Sequence, residues 1–168
     1  MKKLVNIFQI ITIGIGFAVI LMFLIPRLFG VIPFIVLSGS MEKEIKTGSI
    51  AYVNTNVKRE EIEVGDIIAF SIGKSQVTHR VFSINEDNTF TTKGDANDTV
   101  DLNNVKFQNY KGKTVFSIPY LGYVLRFMQT KVGYCIIILL VLFNLIFLIF
   151  TKDDTKSKRN KKMTEVKK

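Results

Sequence analysis

Three groups of residues in this 168-residue chain could carry out acyl transfer, and they occur in the order serine, histidine, aspartate. Ser38 and Ser40 end an apolar run in "FIVLSGSMEKEI", and His79 is the sole histidine. Three aspartates follow in "TTKGDANDTVD", residues 91–101. A serine hydroxyl becomes a nucleophile when an imidazole accepts its proton and a carboxylate orients that imidazole. The three groups therefore supply the side chains of a serine hydrolase.

Each group also has a plainer interpretation. Serine and glycine are ordinary turn residues. A histidine between valines on one strand face can be a structural residue, and imidazole suits base chemistry near neutral pH in any protein. The aspartates could form a solvated turn or bind calcium, although the consensus calcium loop with its terminal glutamate is missing. The residues alone leave these alternatives open.

Two apolar stretches flank these groups, residues 4–25 and 132–150. Each is about as long as the roughly 20 residues that a helix needs to cross a bilayer. The first could instead be a cleavable secretory signal, but its apolar part is too long and no A-x-A pattern precedes Pro26. We therefore expect an uncleaved anchor and two membrane spans.

The charge distribution predicts the orientation of these spans. Lys2 and Lys3 precede the first, and the tail, residues 151–168, holds eight basic residues against three acids. Residues 28–150 hold twelve basic residues against eleven acids. Positive charge marks the cytoplasmic side, so we expect both termini inside and the middle outside. The high pI thus indicates topology rather than nucleic-acid binding. We expect the tail to be solvated and disordered rather than bound to anionic lipid.

The sequence between the two spans predicts one small β-domain. Its β-branched and aromatic runs, separated by turn residues, are typical of short strands. These runs are residues 49–54, 66–72, 76–84, 88–93 and 113–118. Without long helices between them, they favour a mostly antiparallel sheet, followed by a short helix after Pro119. In 76–84, alternation puts His79 on one face with Val77 and Val81.

The predicted organisation is a mostly β, antiparallel extracytoplasmic domain flanked by two transmembrane helices. Its parts are a cytoplasmic end with a span (1–27), the outer domain (28–131), the second span (132–150) and the basic tail (151–168). Cys135 lies in a span and has no second cysteine to pair with. One histidine and one cysteine are too few ligands for a metal cluster, so we expect no cofactor.

Together, these motifs resemble the type I signal peptidases. "SGSME", "GSIAYV", "VGDIIAF", "THRVFSI", "TTKGDAND" and "IPYLGYV" occur in that family's order. The resemblance covers roughly residues 34–124 and is to the branch that uses histidine where common bacterial enzymes use lysine. That branch includes the endoplasmic-reticulum catalytic subunit, archaeal enzymes and SipW-like enzymes, and the two-span pattern is most similar to the SipW-like ones.

The resemblance implies a role for each residue. Ser40 would be the nucleophile, because it is the serine before the methionine in the S-x-S-M pattern, and Ser38 would help to form the oxyanion hole. His79 would be the base. Asp101 would orient it, with Asp95 as a second required or structural acid and Asp98 less favoured. Lys43 departs from the family, which usually has proline there.

The implied function is cleavage of signal peptides from secretory preproteins at the outer membrane face by a serine endopeptidase. Its partners would be preproteins and membrane lipid. A catalytically silent protein that binds preproteins is one alternative, and a structural surface scaffold is another. In a scaffold protein, Ser40, His79 and Asp101 would have no catalytic role.

Overall fold

The computed structural model describes the backbone of residues 2–165 and the side chains of residues 6–148. Three helices and six strands form within these residues. In chain order they are α1 (Lys2–Leu28), β1 (Val31–Ile35), β2 (Ile50–Asn54), β3 (Ile67–Ile72), β4 (Ser75–Ile84), β5 (Phe90–Lys93), β6 (Tyr110–Ile118), α2 (Leu121–Met128) and α3 (Lys131–Glu165). Single 3-10 turns, Arg59–Glu61 and Phe107–Asn109, precede β3 and β6.

The two long helices are apolar and exposed. Asn6–Leu28 and Lys131–Leu148 are long and apolar enough to cross a membrane. None of the first segment and only 6% of the second is buried in protein, whereas the core helix of a soluble domain is mostly buried. An apolar surface of this size is unfavourable in water, which indicates a membrane protein. The two helices overlap the two predicted spans.

The expectation of a disordered tail is wrong for the part of the tail whose backbone the structure describes, residues 151–165. α3 continues through the basic segment to Glu165, and residues 166–168 lie outside the described part. Lysine, arginine, glutamate and methionine have high helix propensity. Extending a helix that already exists also avoids the cost of nucleation, so the tail can continue the span as helix.

The chain forms two compact units, Ile11–Leu125 and a second that combines Met1–Ile10 with Arg126–Lys168. Within the second, the ring of Phe8 meets the ring of Phe143 edge-on, with centroids 6.3 Å apart. The side-chain amide of Gln9 donates to the carbonyl oxygen of Asn144 at 3.2 Å. The first turns of α1 therefore lie beside the late part of the α3 span.

The first unit contains one six-stranded antiparallel sheet, in the order β1-β2-β6-β3-β4-β5. All five predicted strand runs are confirmed, with shifts of up to three residues at their ends. β3 and β4 form a hairpin with Ile72 opposite Ser75. Gly73 in its turn has a φ of 58°, which favours glycine. The strand pattern therefore predicted the fold class correctly.

Two apolar clusters support the sheet. The larger contains Ile62, Ile68, Phe70, Val81, Phe90 and Val105. The smaller contains Val36, Met41, Ile45 and Ala51 and lies at the segment that carries Ser40. Met41 is only 1% exposed, so the residue after Ser40 anchors this segment in the core.

Candidate active site

Ser40 lies in the connection between β1 and β2, which backbone hydrogen bonds hold at both ends. The N–H of Val36 donates to the carbonyl oxygen of Ser49 at 2.9 Å. The N–H of Gly48 donates to the carbonyl oxygen of Val36 at 2.8 Å. Inside this connection, Met41 and Ile45 are buried whereas Ser40 is half-buried. The serine hydroxyl is thus presented at the surface by a fixed backbone.

His79 lies in the middle of β4, on the buried face. It is 7% exposed, and Val81 on the same face is 1% exposed, so the predicted alternation is confirmed. Its ring meets that of Phe70 edge-on, with centroids 6.2 Å apart. The imidazole therefore has a fixed orientation set by strand register and packing.

The structure brings Ser40, His79 and Asp101 together. His79 Nε2 lies 2.9 Å from Ser40 Oγ, and His79 Nδ1 lies 2.6 Å from Asp101 Oδ2. When Nδ1–H donates to the carboxylate, Nε2 is free to accept the serine proton. This is the order of contacts that nucleophilic acyl transfer needs. Both ring nitrogens of His79 thus contact side chains, those of Ser40 and Asp101.

Thr92 on β5 fixes the carboxylate of Asp101. Its hydroxyl donates to Asp101 Oδ2 at 2.6 Å, and its carbonyl oxygen accepts from the N–H of Asp101 at 2.8 Å. The side chain is fully buried. Thr92 was not among the predicted site residues, because a threonine in a strand is common and carries no signal of its own.

Asp95 forms an ion pair with Arg80 and does not bond to His79. Nε and Nη2 of Arg80 donate to the two carboxylate oxygens of Asp95 at 2.8 and 2.6 Å, and Nη1 donates to the carbonyl of Gly65 at 2.8 Å. The hydrogen bonds from Arg80 lower the pKa of Asp95, and those with Asp95 raise the pKa of Arg80. Such bidentate pairs are strong and directional. The Asp95 carboxylate is therefore bound to Arg80 and not to His79.

The remaining candidates lie at the edge of this group. Ser38 is exposed, and its Oγ lies 3.3 Å from Ser40 Oγ. Asp98 is exposed, and its carbonyl oxygen accepts from Lys93 at 3.0 Å. Among the described residues, no three His, Cys, Asp or Glu side chains form a group that could hold a metal ion. The three aspartates thus have separate surroundings.

Comparison with known proteins assigns the family. Residues 8–114 match the family model described as "Signal peptidase, peptidase S26". The chain belongs to this family. It is 37% identical over 99 residues to the "Signal peptidase I W" of Bacillus subtilis (strain 168), covering 56% of this chain and 52% of that protein. Over 103 residues it is 36% identical to the "Signal peptidase complex catalytic subunit SEC11" of Candida tropicalis, covering 54% and 61%.

These relatives agree with the resemblance in the motifs. A bacterial and a eukaryotic signal peptidase both match this S26 chain, which supports the predicted SipW-like and endoplasmic-reticulum branch. The aligned regions cover between about half and three fifths of the relatives' lengths. The chain therefore matches only part of the length of these relatives.

Proposed function

We propose that this chain is a membrane-bound serine endopeptidase that removes signal peptides from secretory preproteins. One observation carries the proposal, the continuous contact from Ser40 Oγ through the His79 ring to Asp101. Ser40 and His79 are 39 residues apart in sequence, and His79 and Asp101 are 22 apart, yet their side chains meet at hydrogen-bond distance. A scaffold or a silent binding protein has no need of such an arrangement.

In the proposed first half-reaction, Ser40 Oγ attacks the carbonyl carbon before the cleaved bond. His79 Nε2 takes the serine proton, and Asp101 stabilises the resulting imidazolium through Nδ1. The developing oxyanion would accept hydrogen bonds from the Ser38 hydroxyl and the backbone N–H of Ser40. One such donor can be worth about 3 kcal/mol in the transition state.

The second half-reaction completes the cycle with the same groups. His79 gives its proton to the leaving amine when the peptide bond breaks, which leaves an ester between Ser40 and the signal peptide. A water then attacks this ester while His79 accepts its proton, and the proton returns to Ser40 as the acid product leaves. The proposal needs no metal or cofactor for any of these steps.

β1 is the proposed binding edge for an extended substrate. It is the first strand in the sheet order, so only β2 pairs with it. A peptide could add to such an edge by main-chain hydrogen bonds. Ile35, Val36 and Leu37 lead from β1 toward Ser40, and Leu37 is 60% exposed. We propose the exposed Leu37 as the candidate for a substrate pocket, because Val36 packs in the smaller apolar cluster and Ile35 lies against Gly122.

The proposed topology has both termini in the cytoplasm and the β-domain outside. The basic residues at the two ends support this orientation. The contacts of Phe8 with Phe143 and of Gln9 with Asn144 also support it. They join the start of α1 to the late part of α3, as the proposed topology requires.

The decisive experiment compares wild type with Ser40→Ala at matched expression on a membrane-inserted preprotein. Loss of a nucleophile of this kind lowers kcat by roughly 10⁶-fold, so no mature product should appear. Ser75→Ala is the matched control because Ser75 is exposed in the β3–β4 hairpin. It should cleave like the wild type.

The outcomes separate this function from its alternatives. Unchanged cleavage by folded Ser40→Ala would exclude Ser40 as the nucleophile. If the wild type crosslinks to preproteins but never cleaves them, a silent binding protein is favoured. A preprotein with a bulky residue immediately before the cleavage site serves as a negative substrate, since the resemblance implies small residues there.

A further inference from the structure

α2 is a helix with apolar residues on two faces. One face, formed by Leu121, Gly122 and Leu125, is buried or half-buried. The other face consists of Tyr120 just before the helix, Tyr123, Val124, Phe127 and Met128, spaced as one helical stripe. These five residues, which we call the outer stripe, are between 38% and 56% exposed.

The inner face fixes which way the outer stripe points. The N–H of Gly122 donates to the carbonyl of Gly48 at 2.8 Å. A Cβ on Gly122 would lie 2.7 Å from that oxygen and 2.8 Å from the carbonyl oxygen of Ser49. This backbone-to-backbone contact fixes the orientation of the helix and leaves the outer stripe exposed. A contiguous apolar patch of this kind marks a contact with a membrane or a partner.

The chain itself specifies the environment. Only two residues separate Met128, the end of α2, from Lys131, where the α3 span begins. At 3.3–3.6 Å per residue, these three steps reach at most roughly 10 Å. Met128, at the end of the outer stripe, is therefore within that distance of the residue at which the α3 span begins.

The side chains of the outer stripe and its surroundings match that surface. Tyrosine is enriched at membrane–water interfaces, and the stripe holds two tyrosines and a phenylalanine. Lys46 lies over the Tyr120 ring, 5.6 Å from its centroid, and Arg126 is the only charged residue in α2. With Lys131 these cations complement anionic headgroups, whereas α2 itself has no acid.

From these observations we infer that α2 is an interfacial helix whose outer stripe lies in the headgroup region of the bilayer. The membrane then contacts the protein at a third place besides the two spans. Because Gly122 bonds to Gly48 in the connection that carries Ser40, this contact also holds the candidate nucleophile's segment at the membrane surface. The inference requires the two spans but not the proposed peptidase activity.

The absence of tryptophan from the chain allows a direct test. Val124→Trp, in full-length protein reconstituted in vesicles, places a single fluorophore on the outer stripe. We expect blue-shifted emission that lipids brominated near the headgroup quench more strongly than lipids brominated near the chain end. Phe127→Trp, on the same stripe, should behave alike and provides a second variant if the first does not fold.

Phe107→Trp is the matched control. Phe107 is 70% exposed and precedes β6, whose nine residues separate it by roughly 30 Å from the start of α2. Its emission should be red-shifted and unquenched by either lipid. Unquenched, red-shifted emission from both stripe variants would overturn the inference. Blue-shifted emission without quenching would also overturn it and assign the stripe to a protein partner, such as a second copy of the chain.

Discussion

The backbone N–H of Ala96 donates a hydrogen bond to the carbonyl oxygen of Ser40 at 2.8 Å. This bond joins the loop after β5 directly to the candidate nucleophile. The same loop contains Asp95, whose N–H lies 3.4 Å from the buried sulfur of Met41, and the Asp95 side chain is held by Arg80. The loop therefore acts as a support that fixes the backbone of Ser40 opposite His79.

The first prediction concerns Gly94 in this support. A Cβ at Gly94 would lie 2.6 Å from the carbonyl oxygen of Ser40 and 2.8 Å from Asn97 Nδ2. Gly94→Ala should therefore displace the loop or Ser40. Since a misplacement of about 1 Å can cost roughly 10²-fold in rate, we expect cleavage to fall by that order while the domain stays folded. The measurement is kcat on a synthetic preprotein.

Gly39→Ala is the control for Gly94→Ala. Gly39 is next to Ser40, but a Cβ there would meet only Glu42 Oε2 and Thr47 Oγ1, both at an ordinary 3.6 Å. It should keep most of the activity. Equal activity in the two alanine variants would argue against a positioning role for the loop.

The second prediction concerns acid stability. Arg80 lowers the pKa of Asp95 below its ordinary value, so the carboxylate stabilises the fold fully above the unfolded pKa of about 3.9. This stabilisation is lost as the pH falls through the lowered folded pKa. We expect Asp95→Asn to cost about 1–2 kcal/mol at neutral pH, with the difference from wild type shrinking below about pH 4.

Thermal unfolding in detergent between pH 7 and pH 3 measures this difference. Asp98→Asn is the control, because the exposed Asp98 contributes only its backbone oxygen to the recorded bond with Lys93. It should follow the wild type at every pH. A constant gap between Asp95→Asn and wild type across the whole range would contradict the assigned pKa shift.

The third prediction concerns Thr92 as a positioning residue. Thr92→Val keeps the shape of the side chain but removes the hydroxyl that donates to Asp101. A lost hydrogen bond to a charged group costs about 1.5–3 kcal/mol, and the carboxylate would then be free to rotate away from His79. We expect a lower kcat with an unchanged KM, and rescue by Thr92→Ser, which restores the hydroxyl. Equal kcat for the valine and serine variants would assign Thr92 a packing role only.

The parts of this structure that the sequence predicted are those with local signals. Strand alternation placed His79 on the buried face and, by the same rule, Arg80 on the opposite face. The resemblance supplied Ser40 and Asp101, but their contact with His79 depends on how distant segments come together, which no local pattern contains. For the same reason, the Arg80–Asp95 pair and the support from Thr92 became visible only in the structure.

The fourth prediction concerns the contact of α2 with the connection that carries Ser40. Gly122→Ala would force a methyl group against the carbonyl oxygens of Gly48 and Ser49. Overpacking of this kind costs about 1–3 kcal/mol. Because the N–H of Gly48 bonds to Val36, the strain should reach the segment before Ser40 and lower both the thermal stability and the cleavage rate. Ser75→Ala, at an exposed position in the β3–β4 hairpin, should change neither. Stability lost in Gly122→Ala with full cleavage retained would show that α2 supports the fold without positioning Ser40.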